Sequence, residues 1–201
     1  MFEPKPMICI DPGHGGSNFG ASGGGTHEKH LTLPIAVQLE QILEDTGQLN
    51  VVKTRTEDRD VGLTSRAKVA ETWGAQLAIS IHLNRSEQKN KRGGYVLWER
   101  SEESARAAKT MAEAWNKTEI KYPGHKNLRL FHGIAKKGWS RVQNVLRPYG
   151  VRGIPAILLE VGFMTNNADF AIWSNPARRE YPLCLVADGI LDYFDKPRMC
   201  V

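Results

Sequence analysis

Long hydrophobic runs are missing from this 201-residue chain: no apolar segment approaches the ~18 residues that a membrane span requires. The opening residues, Met1-Phe2-Glu3-Pro4-Lys5-Pro6, do not join a positive segment to an apolar one, so no signal peptide is expected. Cysteine is scarce. The three present, Cys9, Cys184 and Cys200, form an odd set that argues against a closed disulfide framework and fits synthesis in a reducing compartment. Cys9 lies inside an apolar run and reads as a small core residue. Neither sign of charge dominates: 27 Lys and Arg stand against 22 Asp and Glu, a net +5. This mild excess favours an anionic partner, but the positive residues are dispersed, unlike the concentrated basic and aromatic face of a nucleic-acid binder. Internal repeats and low-complexity segments are also absent.

What is present is an ordinary globular balance, 41% hydrophobic and 24% charged. A chain of this size buries about 70% of its unfolded surface and needs no metal or disulfide merely to fold. Residues 1–201 are expected to form a single domain. Strand-like and helix-like segments alternate, which predicts an α/β domain. Strands are expected at 7–10, 51–54, 77–81, 95–98 and 156–159. Helices are expected over Leu31 to Leu43, with Thr32 and Pro34 near the start and Gly47 past the end, from Leu63 to a close at Gly74, from a cap at Ser101 to about Trp115, and from Asn175-Pro176 through Phe194. Pro182 is expected to bend or restart the last of these. Residues 118–153, rich in Gly, Lys and Arg, are the least legible.

Strand-like runs lead into His14, His82 and Glu160. Polar groups at the carboxyl ends of strands in an open α/β sheet converge in space however far apart they lie in sequence. Two imidazoles and one carboxylate form a known catalytic zinc set that leaves one position open. His14 and His82 supply the imidazoles. In the segment "GTHEKHLTLPIA", Glu28 is the preferred third ligand, with His27 and His30 as alternatives on spacing alone. Glu160, directly after the apolar "PAILL", is a carboxylate that a dry core does not tolerate unless it is paired or functional; a buried ion pair is the plain alternative. Arg55, Asp58 and Arg66 read as residues that fix a loop and a helix start, and Asn166 as a turn or cap. Asn84 suits either orienting the His82 loop or touching a substrate. His125 and His132 read as surface residues, and Lys136, Lys137 and Arg141 as a solvated face.

The segments "IDPGHGGSNFGA", "EKHLTL", "VVKTRTEDRDVGLTSRAKVA", "LAISIHLN" and "PAILLEVGFMTN" resemble, in order and over about residues 8–167, the zinc-dependent N-acetylmuramoyl-L-alanine amidases of bacterial cell walls and phage endolysins. The resemblance implies a single catalytic domain with a twisted, mostly parallel mixed sheet flanked by helices. It implies one zinc ion on His14, Glu28 and His82, with Glu160 as the catalytic glutamate. It favours Glu28 over its histidine neighbours, because the family's ligand is the Glu that opens the "EKxLxL" segment. The implied reaction is hydrolysis of the amide between the lactyl group of N-acetylmuramic acid and L-alanine of the peptidoglycan stem peptide. The expected partner is peptidoglycan, with no nucleic acid and no membrane span, and the chain is expected to act as a monomer. No wall-binding module is recognisable. The combination resembles a phage lysin made in the cytoplasm and acting on the wall at lysis, with a domain of an exported autolysin as the rival. A non-catalytic peptidoglycan-binding domain would be expected to lack a ligand or the glutamate, and here all four positions are filled. A zinc peptidase cutting within the stem peptide would be separated by its products.

Overall fold

The computed structural model describes residues 4–98, 101–117, 130–134 and 140–199, with residues 116–117 and 130–134 described by their backbone alone. Six strands form one sheet: β1 (Met7–Pro12), β4 (Asn50–Lys53), β5 (Leu77–Asn84), β6 (Gly94–Trp98), β7 (Leu130–Ile134) and β8 (Ala156–Phe163). Their order is β4-β1-β5-β8-β6-β7. All neighbours are parallel except β6 and β8, which run antiparallel. The sheet is therefore mixed and mostly parallel, as expected. A small hairpin, β2 (Ser22–Gly23) and β3 (Thr26–His27), leads into α1 (Lys29–Asp45).

Both faces of the sheet are covered, so the strands read as near-continuous apolar runs. The period of two then sorts the side chains. Ile8, Ile10, Ile79, Ile81, Ile157 and Leu159 point into the larger core, which contains residues of α1, α3 (Glu102–Lys117) and α6 (Pro176–Tyr193). Cys9, Ala78, Ala156 and Leu158 point to the opposite face, against α2 (Leu63–Thr72) and α4 (Ser140–Gly150). Two residues further along that second face, strand by strand, come Asp11, Ser80 and Glu160, and then His82. The polar residues of the strand ends thus share one face because they share parity with the small residues before them.

The differences from the expected elements are instructive. His82 and Glu160 do not end their strands: β5 runs to Asn84 and β8 to Phe163, and the two residues are register partners just before an irregularity between His82 and Asn84. α5 (Asn167–Trp173) is an additional short helix. Its N-cap is Asn166, whose side chain accepts from the N–H groups of Ala168 and Asp169. β7 and α4 fall in the illegible stretch. α6 continues through Pro182, because burial of nearly the whole segment from Pro182 to Leu191 outweighs the local helix-breaking tendency. Cys9 is a buried free thiol, whereas Cys184 is disulfide-bonded, a crosslink that the odd cysteine count argued against. His125, Lys136 and Lys137 lie outside the described residues, and for His132 only the backbone is described. Among the described residues no helix is long and apolar enough to cross a membrane.

A buried network fixes the turn after β1. Asp11, 1% exposed, accepts from Thr54 Oγ1 (2.5 Å), Ser80 Oγ (2.8 Å) and Arg66 Nη1 (2.7 Å). Arg66 also donates to the carbonyls of Pro12 (2.7 Å), His14 (2.6 Å) and Val61 (2.9 Å). Arg55 donates to the carbonyls of Pro12 (3.0 Å) and Gly13 (2.9 Å). Two buried guanidinium groups therefore satisfy backbone carbonyls that a sheet ladder cannot reach. Burial pushes the Asp11 carboxyl up, but the Arg66 charge and three hydrogen bonds more than offset this and hold it below its usual value. The stability this gives is complete above the ordinary carboxylate range and is lost as the pH falls through the lowered folded value. Asp11→Asn leaves Arg66 buried without its counter-charge. It is expected to cost about 3–5 kcal/mol at pH 7, with the gap to wild type narrowing on acidification, as measured by denaturant unfolding of the metal-free protein.

Candidate active site

β1 delivers His14 two residues beyond its end, in a left-handed conformation (φ 61°) that few non-glycine residues adopt. The tight turn through Gly13 makes this possible. A Cβ on Gly13 would lie 2.3 Å from the His82 ring, so glycine is required here for the approach of the ring. His14 Nδ1 lies 2.8 Å from Asn18 Oδ1, which sets the ring and aims Nε2 inward. β5 delivers His82. The β2–β3 hairpin and the start of α1 deliver Glu28, 3% exposed.

These three residues converge. Glu28 Oε2 lies 3.0 Å from His14 Nε2, and Glu28 Oε1 lies 3.0 Å from His82 Nδ1. The donor atoms of the three all lie within 4.8 Å of one another. Each Glu28 oxygen also accepts a backbone N–H, from Leu83 (2.8 Å) and Ala21 (2.8 Å). These bonds fix the carboxylate from behind, as supporting contacts do at metal centres. Burial opposes ionisation of Glu28, yet hydrogen bonds and charge from the two imidazoles carry its pKa well below the carboxylate range. Burial lowers the His14 pKa and the Glu28 hydrogen bond raises it, with a net rise. Two imidazole nitrogens and one ionised carboxylate suit a single zinc ion in chemistry and in spacing.

The histidines flanking Glu28 are engaged elsewhere. His27 Nδ1 lies 2.9 Å from Ser22 Oγ, and His30 Nδ1 lies 3.0 Å from Thr26 Oγ1. Of the three candidates in that segment, Glu28 is the one that clusters with His14 and His82.

Glu160 enters from β8 beside His82. Its Oε2 is buried and has no hydrogen-bond partner among the described residues, so the ion-pair alternative is not met. Burial and then the Glu28 charge push its pKa up to about 8. Glu160, Glu28, His82 and His14 all line one groove of about 920 Å³, with Phe19, Asn84, Arg85, Lys91, Tyr95, Arg141 and Val145 among its other walls. A smaller hollow of about 360 Å³, lined by Asp60, Val61, Gly62 and Leu63 among others, shares His14, Asn18, His82 and Val145 with it. His14 and His82 therefore sit where the two recesses meet, with Glu28 in the larger one.

Arg55 and Arg66 support the turn, as expected. Asp58 does so by accepting from Gly16 N (2.7 Å) and Lys29 Nζ (2.7 Å). Asn84 lines the groove, with its Oδ1 accepting from Arg85 N at 2.7 Å. Sequence reasoning missed Asp11 and Asp169, whose burial depends on partners remote in the chain. Arg141, read as part of a solvated face, is exposed and also lines the groove. Gly13→Ala is expected to displace the His82 ring and weaken zinc binding by roughly 10–100-fold, read by zinc titration while circular dichroism reports an intact fold.

Comparison with known proteins agrees with this geometry. Residues 8–192 match the Amidase_3 family, described as N-acetylmuramoyl-L-alanine amidase. The N-acetylmuramoyl-L-alanine amidase CwlM of Bacillus licheniformis is 49% identical over 78 residues, 38% of this chain and 31% of that protein. The chain thus matches under a third of the length of that relative. The germination-specific N-acetylmuramoyl-L-alanine amidase of Bacillus subtilis (strain 168) is 30% identical over 203 residues, covering 94% of this chain and 79% of that protein. The catalytic domain of CwlV, an N-acetylmuramoyl-L-alanine amidase from Bacillus (Paenibacillus) polymyxa var. colistinus, superposes with a TM-score of 0.78 at 30% identity. That superposition covers 96% of this chain and 99% of that domain. On the match across residues 8–192, with the His-His-Glu cluster at its centre, the chain belongs to the N-acetylmuramoyl-L-alanine amidase family.

Proposed function

We propose that the chain is a zinc amidase that hydrolyses the bond between the lactyl group of N-acetylmuramic acid and L-alanine of peptidoglycan stem peptides, acting as a monomer on the bacterial cell wall. One observation carries the reading. A preorganised His14–Glu28–His82 cluster opens onto the same groove as Glu160, a half-buried residue whose Oε2 is buried and without a hydrogen-bond partner among the described residues. A binding module has no use for such a carboxylate, which is costly to bury.

His14 Nε2, His82 Nδ1 and a Glu28 oxygen would hold the zinc ion. When bound, zinc polarises the scissile carbonyl and lowers the pKa of water at the site. The proton work belongs to Glu160. Its free Oε2 takes a proton from the attacking water and delivers it to the departing amine of L-alanine. Its raised pKa suits the second task, since a carboxyl that holds its proton near neutrality is a competent donor. With the metal site occupied, the Glu28 charge would no longer repel that of Glu160, and Glu160 would return toward the ionised form needed for the first task. The Asn18 contact and the two N–H groups on Glu28 hold the cluster in place so that little reorganisation accompanies the reaction. The same chemistry serves a lysin and the catalytic domain of an autolysin, and both roles place the enzyme on the wall.

Digestion of purified peptidoglycan, followed by mass spectrometry, is expected to release free stem peptides beginning at L-alanine, with loss of release on chelation and recovery with Zn²⁺. Muramic acid still carrying L-alanine would instead identify a peptidase. His14→Ala and His82→Ala are expected to lose both zinc and activity. Glu160→Gln is expected to keep stoichiometric zinc and lose roughly 10²–10⁴-fold in kcat; turnover by this variant near the wild-type rate would remove Glu160 from its role.

A further inference from the structure

The larger groove carries a charge pattern that the proton and metal chemistry does not use. Arg85, Lys91 and Arg141 line it together with Glu160, Glu28 and His82. None of the three forms an ion pair among the described residues, whereas Glu28 in the same groove contacts both His14 and His82. Arg141 is the second residue of α4, and the other two sit on the 85–93 loop after β5. The smaller hollow that shares His14 and His82 with this groove has a different lining. There Arg66 is tied to Asp11, and Asp60, Val61, Gly62 and Leu63 supply the outer wall.

The loop that bears two of these cations is tied down. Ser86 N donates to Thr165 Oγ1 (3.1 Å), Asn166 Nδ2 donates to the Lys89 carbonyl (2.8 Å), and Gly93 N and Arg92 Nε donate to the two oxygens of Asp169 (2.8 and 3.2 Å). Asp169 is fully buried and also accepts from Phe163 N (3.1 Å). Asp169 thereby links the loop to the end of the strand that carries Glu160. Anchoring of this kind reduces the ordering cost of binding an anion between otherwise mobile cations.

We propose that Arg85, Lys91 and Arg141 bind the carboxylates of an acidic stem peptide, so that the peptide side of the scissile amide lies in the larger groove and the uncharged lactyl and sugar side lies in the smaller hollow. The inference rests on the amidase reading. It adds to it a direction for the substrate and a preference for stem peptides whose carboxyl groups are free over those whose carboxyl groups are amidated. Exposed pairs of this kind are individually weak, on the order of 3- to 5-fold per charge, and are screened by salt.

The test uses zinc-loaded full-length protein and two muramoyl-peptides that differ only in whether their peptide carboxyls are free or amidated. Arg85→Gln, Lys91→Gln and Arg141→Gln are expected each to raise KM for the free-carboxylate substrate about 3- to 5-fold, with kcat within twofold and zinc content unchanged. On the amidated substrate they are expected to change nothing. Calorimetric titration with the free stem peptide gives a readout independent of turnover. Wild type is expected to bind it more weakly at 0.5 M salt than at 0.05 M, and the triple variant to lose that dependence. Asp169→Asn is expected to give the same KM pattern in smaller measure by loosening the loop. Equal KM changes on both substrates, or unchanged peptide binding in the triple variant, would overturn the assignment while leaving the amidase reading intact. Reduced retention on intact walls with unchanged peptide binding would overturn it too, in favour of a phosphate-bearing wall polymer. Failure of wild type to release L-alanine-terminated peptides from either substrate would overturn the amidase reading itself, and this inference with it.

Discussion

The structure depends on the pairing of Arg66 with Asp11 beneath the turn at residues 12–14. A strand that ends inside an α/β domain leaves carbonyl groups with no ladder partner, and an unpaired buried carbonyl is costly. Here the Pro12, Gly13 and His14 carbonyls are all taken up by Arg55 and Arg66, and Asp11 neutralises the guanidinium that does most of the work. Buried ion pairs seldom add much net stability. The arrangement matters for position: it holds His14 in a left-handed backbone conformation, with its ring turned toward Glu28, before any ion arrives.

Around that turn the site is assembled from parity. Residues two apart on a strand face the same way, so the small side chains of Cys9, Ala78 and Ala156 leave room for α2 and α4 to pack, and the next residues on the same face fall at the edge of those helices. Asp11 and Ser80 are buried there and bonded to each other, whereas His82 and Glu160 line the groove. Glu28 is the exception, reaching the cluster from a hairpin and a helix start. Its two backbone N–H contacts supply the rigidity that a strand would have given.

Much of this was legible in the sequence. The alternation of elements indicated an α/β sheet because buried parallel strands need apolar residues on both faces, as "LAISI" and "PAILL" have. His14, His82 and Glu160 stood out because polar residues at the ends of such runs are expensive without a function. Glu28 was the preferred donor of its segment, and the family resemblance raised it over His27 and His30, which offer donors at similar spacing but lie beside hydroxyl partners. Other features were illegible for a physical reason. The antiparallel placement of β6 beside β8 is set by packing across the sheet, and α5 is too short for its period to register. Asp11 and Asp169 look like surface residues until the chain brings arginines 55 and 77 positions away onto them. Arg141 sits in a stretch without apolar rhythm, so its place in the groove could not be read.

The strand order has a consequence for how the molecule comes into being. β8 lies between β5 and β6 in the sheet, although both precede it in the chain by more than fifty residues. His14, Glu28 and His82 all belong to the part of the chain synthesised first, whereas Glu160 arrives on the strand that fills the gap at the centre of the sheet. The strand that closes the sheet between β5 and β6 is thus the one that brings Glu160 beside His82, so the centre of the core and the last wall of the site are placed by the same segment.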